Sequence, residues 1–325
     1  MLAAAAAAVV LAAAAPSVLF RFDDPRIAES SALVLSQDGE RLYTANDSGD
    51  VARVFAVDLE GRTRSVVALR GTEVVDVEDA ALGPGGSLVV ADIGDNDAVR
   101  EDVQLLTLPD PASGRVERRV LEYEDGPQDA EALLVHPRTG QTLVVTKGLF
   151  GSAAYEVPER GRRMTRVGSF QAQQTRTEGG PDPVAAARLL VTGGAVSPDG
   201  DRLVLRTYTD AYVLTVPDDD LAAALRGTPQ VVPLPATQQG EAVTWTRDGA
   251  ALLTSSEGQG APVHRVPLPA APAAPAAPAA LPQPAGPGAG APVDLARRPV
   301  ALLVGGAGLL LVAGTGLVVA RRRRA

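Results

Sequence analysis

Residues 76–100 read DVEDAALGPGGSLVVADIGDNDAVR: two short apolar runs joined by a glycine turn, with acidic clusters at the outer ends. In an antiparallel hairpin the start of the first strand and the end of the second lie at one edge. Asp76, Glu78 and Asp79 are therefore expected to face Asp92, Asp95 and Asn96 across one rim.

The same frame recurs along the chain, and internal repeats decide the fold before any single element does. Its copies are ESSALVLSQDGERLYTANDSGD from Glu29, VEDAALGPGGSLVVADIGDN from Val77, DAEALLVHPRTGQTLVVTKG from Asp129, TGGAVSPDGDRLVLRTYTD from Thr192 and GEAVTWTRDGAALLTSSEG from Gly240. Placing the turns in register aligns Ser31, Glu78, Glu131, Thr192 and Glu241, at successive steps of 47, 53, 61 and 49 residues. Such steps suit one four-stranded propeller blade each, near the ~40–50 residues of known blades. Further strand-like runs follow, such as Arg53–Asp58 with Ser65–Leu69 and Val103–Leu108 with Arg119–Tyr123. After Glu241 only Pro262–Pro267 follows, and Val18–Phe22 at the other end of the chain supplies the missing strand. The spacing thus predicts an all-β propeller of about five blades, six left open, closed by the N-terminal strand. Asp218, Asp219 and Asp220 before LAAALRG read as the capped start of a short helix. The polar interval 171–183 reads as a loop.

By the hairpin argument one face collects Asn46, Asp47, Asp92, Asp95, Asn96, Arg100, Lys147, Tyr208, Asp210 and Glu257, while the turns SQDG, GPGG, HPRTG, SPDG and TRDG go to the other. Lys147 is the one lysine of the chain and Asn46 and Asn96 are its two asparagines, so the rim concentrates rare residues. Glu78, Glu131 and Glu241 head the inner strands and should line the central channel, where buried carboxylates need a partner. Two readings stay open. A hard cation such as calcium takes these oxygens, with Asp92 nearby, or Lys147, Arg206 and Arg100 pair with them.

Formal net charge is −9 for the 325 residues, and the last 33 contribute six arginines against one aspartate, so about −14 falls on the rest. That balance excludes a nucleic-acid binder, which needs a basic footprint. The absence of cysteine excludes disulfides and thiolate metal sites. Two histidines, His136 in a far-face turn and His264 in an outer strand, meet no rim serine, so no Ser-His-acid machinery is expected. Residues 1–15 read as a signal peptide, and 270–298 as a Pro/Ala-rich spacer. Residues 299–320 read as one membrane pass, with the basic tail 321–325 in the cytoplasm and the propeller, 16–269, outside.

At NDSGD, DVEDAALGP, DIGDN, DAEALL and GEAV the chain resembles exported bacterial β-propellers allied to the phytase-like and SdiA-regulated groups, and more loosely the senescence-marker/gluconolactonase group. The resemblance covers Phe20 to about Pro269. It implies Glu78, Glu131 and Glu241 as calcium ligands with Asp92 and Asp95 nearby, because several relatives are calcium-dependent hydrolases with channel carboxylates. The chain departs from those enzymes in blade number and in lacking a dense Lys/Arg cluster. The leading expectation is therefore a membrane-anchored, extracellular module that binds a small ligand, glycan or protein through an acidic channel face. The alternative is a calcium-dependent phytase-like, esterase or lactonase enzyme.

Overall fold

The computed structural model describes residues 14–269. The expected signal peptide falls almost wholly, and the spacer, membrane pass and basic tail wholly, outside them. Among the described residues no helix is long and apolar enough to cross a membrane.

The chain opens with β1 (Ser17–Arg21) and then runs through repeated four-strand meanders. The first group is β2 (Ser30–Leu35), β3 (Arg41–Asn46), β4 (Arg53–Asp58) and β5 (Thr63–Ala68). The second is β6 (Val77–Leu82), β7 (Leu88–Asp92), β8 (Val103–Leu108) and β9 (Glu117–Tyr123). The third is β10 (Ala130–Val135), β11 (Thr142–Thr146), β12 (Ser152–Glu156) and β13 (Arg163–Phe170). A one-turn helix, α1 (Val184–Ala187), precedes the fourth, β14 (Val191–Val196), β15 (Arg202–Thr207), β16 (Asp210–Thr215) and β17 (Gln230–Pro233). The last group is β18 (Gly240–Trp245), β19 (Ala251–Ser256) and β20 (Pro262–Pro267), and β1 completes it by pairing antiparallel to β20.

Each group is an antiparallel sheet in chain order, and two of them merge into one eight-stranded sheet through a short parallel pairing of β13 with β9. The inner strands β7, β11 and β19 are buried almost throughout, as expected of strands covered on both faces. The outermost strand β5 carries exposed positions and an arginine, which blunt its free edge against pairing with other chains.

Apolar layers tie the groups into a ring. Val34 and Val54 pack with Val90 and Leu106, Ile93 and Leu105 with Leu133 and Tyr155, and Leu134 and Leu143 with Leu205 and Tyr212. Val204 and Val213 pack with Val243 and Trp245. The ring closes where Ala242 and Leu253 of the last group meet Leu33 and Phe55 of the first, with Phe20 of β1 in the same layer. The result is an all-β, propeller-like architecture with the first strand of every group innermost.

Several expected elements coincide with observed ones, including Arg53–Asp58, Val103–Leu108 and Pro262–Pro267. The interval 171–183 contains no strand. The short helix α2 (Leu221–Ala224) begins at Asp220, whose side chain accepts from the Ala223 N–H, while Pro217–Asp219 form a separate 3-10 turn before it.

Candidate functional site

A register slip recurs at the same point of every innermost strand: Ser30/Ala32, Val77/Asp79, Ala130/Ala132, Val191/Gly193 and Gly240/Val243. A bulge inserts an unpaired residue and re-aims its side chain. The residues at these slips include Ser31, Glu78, Glu131, Thr192 and Glu241, the positions aligned by the repeat, and all are buried. The two hydroxyls are satisfied by the next group: Ser31 Oγ donates to the Val77 carbonyl at 2.6 Å and Thr192 Oγ1 to the Gly240 carbonyl at 3.0 Å.

The glutamates are not satisfied in this way. Glu131 Oε1 accepts from Lys147 Nζ at 2.5 Å, but Glu131 Oε2, Glu241 Oε2 and Asp76 Oδ1 are buried without a hydrogen-bond partner. These side chains belong to three overlapping clusters, Asp47 with Glu241 and Glu257, Asp47 with Asp76 and Glu78, and Glu78 with Asp129 and Glu131, each with carboxylate oxygens within 4.8 Å of one another. Because Asp47 and Glu78 are shared, the clusters join into one acidic arc drawn from the last, first, second and third groups.

Burial dominates the electrostatics of the arc. It pushes the Asp76 carboxyl up to about 8, helped by the adjacent Asp47 carboxylate. It pushes Glu131 up to about 7 against the opposing pull of Lys147. Glu78 and Glu241 lie well above the usual carboxylate range through burial and the neighbouring Glu131. Burial alone would lower Lys147, but the charge of Glu131 and the phenol of Tyr208 outweigh it and hold its ammonium above its ordinary range. The Lys147 ammonium also lies 5.5 Å from the Tyr208 ring centroid. Gly94 makes the crowding possible, since a Cβ there would stand 2.3 Å from Glu78 Oε1 and 2.5 Å from Asp76 Oδ2.

The rim residues divide into two sets. Asp47, Glu257 and Lys147 join the arc, and Tyr208 lies against Lys147. The others do not. Asp92, expected beside the glutamates as a metal ligand, stands in none of the clusters. Its carboxylate accepts from the N–H groups of Val75 and Asp76, from Gln104 and from Arg100, because it ends β7 opposite Val77 and caps the loop entering β6. Arg100 is held by Asp92 at 2.9 Å and by the Gly94 carbonyl at 2.7 Å, so it pairs with no channel glutamate. Asp95 accepts from the Arg100 N–H. Asn46 is saturated: its amide nitrogen donates to Arg26 and Asp50 while its oxygen accepts from Ala28 and Glu29. Asp210 accepts hydroxyl bonds from Thr175, Thr177 and Thr209 and so fixes the loop before α1. Asn96 is exposed on its loop. Arg206 is buried and donates to the carbonyls of Thr207, Ala242 and Ser255. Burial lowers it to about 9, and the Glu241 charge opposes that shift.

Two arc members, Asp76 and Asp129, were not singled out as ligands by the sequence reading. Their signal is the Asp-x-Glu spacing at Asp76-Val-Glu78 and Asp129-Ala-Glu131, which puts a second carboxylate two residues before the bulged glutamate. Asp79 differs from all of these. It is buried, and its carboxylate accepts from the N–H groups of Ala80, of Leu133 on β10 at 2.8 Å and of Gly194 on β14 at 3.3 Å, so it reaches across the ring. The matching positions of the other groups are Ala32, Ala132, Gly193 and Ala242, so Asp79 is the one carboxylate at this level. His136 Nδ1 accepts from the N–H groups of Arg138 and Thr139 at the turn after β10, and His264 lies on β20. Neither belongs to the acidic arc.

The arrangement offers oxygen donors in excess, one ammonium and no sulfur or imidazole ligand, which suits a hard divalent cation. No protein-family profile and no curated protein sequence matches the chain. Solved structures similar to it include a gluconolactonase from Xanthomonas campestris, at 14% identity and a TM-score of 0.43, covering 73% of this chain and 71% of that one. Another is hydrazine synthase from Kuenenia stuttgartiensis, at 17% identity and a TM-score of 0.40, covering 71% of this chain and 56% of that one.

Proposed function

We propose that the protein is a five-bladed propeller whose acidic channel mouth binds a divalent cation, calcium by its donor set, and that it acts as a binding module for a small oxygen-rich ligand or glycan that completes the cation's coordination. The observation that carries this reading is the set of buried, unpartnered carboxylate oxygens on Asp76, Glu131 and Glu241 within one arc. Buried anions left unpaired are costly, and a cation held by one of the three clusters, which Asp47 and Glu78 link to one another, offsets charge that Lys147, bonded to Glu131 Oε1 alone, does not. Calcium accepts six to eight oxygens in flexible geometry, which fits an arc assembled from several strands better than the strict octahedron of magnesium does.

Location belongs to the same proposal. The apolar run 299–320 with Arg321–Arg324 behind it, and the apolar leader 1–15, favour an exported domain tethered by one membrane pass. The acidic charge balance speaks against nucleic acid as partner.

A second reading, a metal-dependent hydrolase of an ester or lactone, is favoured by one local feature. Glu131, pushed up to about 7, touches Lys147, which in turn lies against Tyr208. That sets an ammonium and a phenol, both able to exchange protons with a bound substrate, beside the proposed cation. Elemental analysis and calcium titration of the purified protein test the first reading: about one ion per chain, removable by chelation, is expected. A chain that neither holds nor takes up calcium, and melts identically with and without chelator, overturns it. Chelator-sensitive turnover of lactone or ester substrates would decide for the second reading.

A further inference from the structure

The innermost strands have a second end. Around their C-terminal ends and the following turns lies a cavity of about 340 Å³, with residues from all groups of strands: Val34, Ala81, Val135, Val196 and Trp245 among its walls. Small-molecule sites are typically concave, about 300–1,000 Å³, apolar in body and fixed by a few polar groups. The acidic mouth lies roughly four residues back along the same strands, ~13 Å at ~3.3 Å per residue. Asp79 stands between the two, its carboxylate bonded to β10 and β14.

The polar groups of this cup are not spread evenly. The hydroxyls of Ser36, Ser197 and Thr246 are engaged by Asp38, Asp199 and Asp248 within their own turns. At the next position the second, third and fourth groups carry Pro84, Pro137 and Pro198, whereas the first and last carry Gln37 and Arg247. Those two groups are neighbours in the ring, so the rim has one polar sector facing an apolar wall. Arg247 donates one bond to the Asp38 carbonyl at 2.8 Å, which fixes its guanidinium at the rim. Among the described residues it forms no ion pair.

We infer that this cup is a second binding site, for a compact monocarboxylate with an aromatic or branched aliphatic body, the body against the apolar wall and the carboxylate on Arg247 and Gln37. A fixed guanidinium without a counter-charge recognises a carboxylate by paired, charge-assisted hydrogen bonds. The five-fold lining by Val, Ala, Leu, Pro and Trp supplies the desolvated body of the site. This site is independent of the cation proposed for the mouth.

The test is calorimetric or NMR titration of the purified chain with benzoate and 4-methylpentanoate, and with benzyl alcohol and 4-methylpentan-1-ol as uncharged counterparts, each with and without excess EDTA. Saturable one-to-one binding of the acids, unchanged by EDTA, is expected. Arg247→Gln, an exposed substitution that leaves the core untouched, should weaken the acids by about 10-fold and leave the alcohols within about twofold. Ala195→Leu and Ala81→Leu fill the cup and should weaken both classes. Absence of saturable binding overturns the inference, as does an Arg247→Gln effect equal on acids and alcohols, or binding indifferent to both filling substitutions. EDTA that abolishes binding would assign the ligand to the mouth instead.

Discussion

The two ends of the central channel are built from the same innermost strands and differ in almost every physical respect. At the mouth, bulges at Glu78, Glu131 and Glu241 bring carboxylates together with one lysine. At the other end the strands finish in Leu35, Leu82, Val135, Val196 and Trp245, and the turn aspartates are consumed by local hydroxyl bonds. One end holds more carboxyl groups than its one lysine can pair, and the other holds apolar surface that its own chain does not cover. A repeat fold can therefore keep its strand framework constant and change chemistry simply by what it places at the second and sixth positions of each inner strand.

The largest effect expected is on cation binding. Glu131→Gln together with Glu241→Gln should weaken calcium binding on the order of 100-fold, since affinity follows the number of charged oxygen ligands. Glu241→Gln alone, which keeps the Lys147–Glu131 pair, should melt higher without metal than the metal-free parent, because repulsion in the arc is relieved. Titration calorimetry and a melting curve read both, and a variant that keeps calcium affinity would break the contrast between the two ends. Gly94→Ala should act in the same direction by about 10- to 100-fold through displaced Glu78 and Asp76.

Separation of the two ends is tested at Asp79. Asp79→Ala leaves the buried N–H groups of Leu133 and Gly194 without their acceptor, at about 1–3 kcal/mol for each, and removes the group between mouth and cup. Chemical denaturation should show the loss. An unchanged midpoint would mean that Asp79 contributes nothing to joining β6, β10 and β14.

A smaller, pH-dependent effect follows from the raised acids. Asp76 and Glu131 are pushed up to about 8 and about 7, and Glu78 and Glu241 lie above their ordinary value. In this window the folded chain holds more protons than the unfolded one, so stability without metal falls as pH rises from about 4 through about 8. Calcium should reverse that fall, and at 100 times its Kd should add about 2.7 kcal/mol, or about 5–10 °C for a domain of this size. The calcium-induced rise in Tm should accordingly be larger at pH 8 than at pH 5, as calorimetry would show. The cup carries no such cluster, and its carboxylate binding should not track this change.

How much of this was legible in the chain depends on the interaction that fixes each feature. The five copies of one frame predicted the strands and their turns, because alternating apolar runs and Gly/Asp/Pro turns are local signals. The same alignment picked out Ser31, Glu78, Glu131, Thr192 and Glu241, since bulges recur at one register position. Closure by Val18–Phe22 was legible from an unmatched strand at each end of the chain, and β1 does pair with β20.

The partners of those glutamates were not legible. Asp92 and Asp129 look alike as acids near a strand end, yet one caps the entry to β6 and the other joins Glu78 and Glu131. Asn46, Asp210 and Arg100 share the rim's chemistry but spend their hydrogen bonds on loops. The sequence by itself determined the repeat, the strand order and the five equivalent positions from Ser31 to Glu241, because these depend on periodicity and turn residues close in the chain. Only the tertiary structure decided which acids meet, that Asp79 reaches across the ring, and that Gln37 and Arg247 form one polar sector. Each of those facts joins groups dozens of residues apart, and ring closure, not any local signal, sets the distance between them.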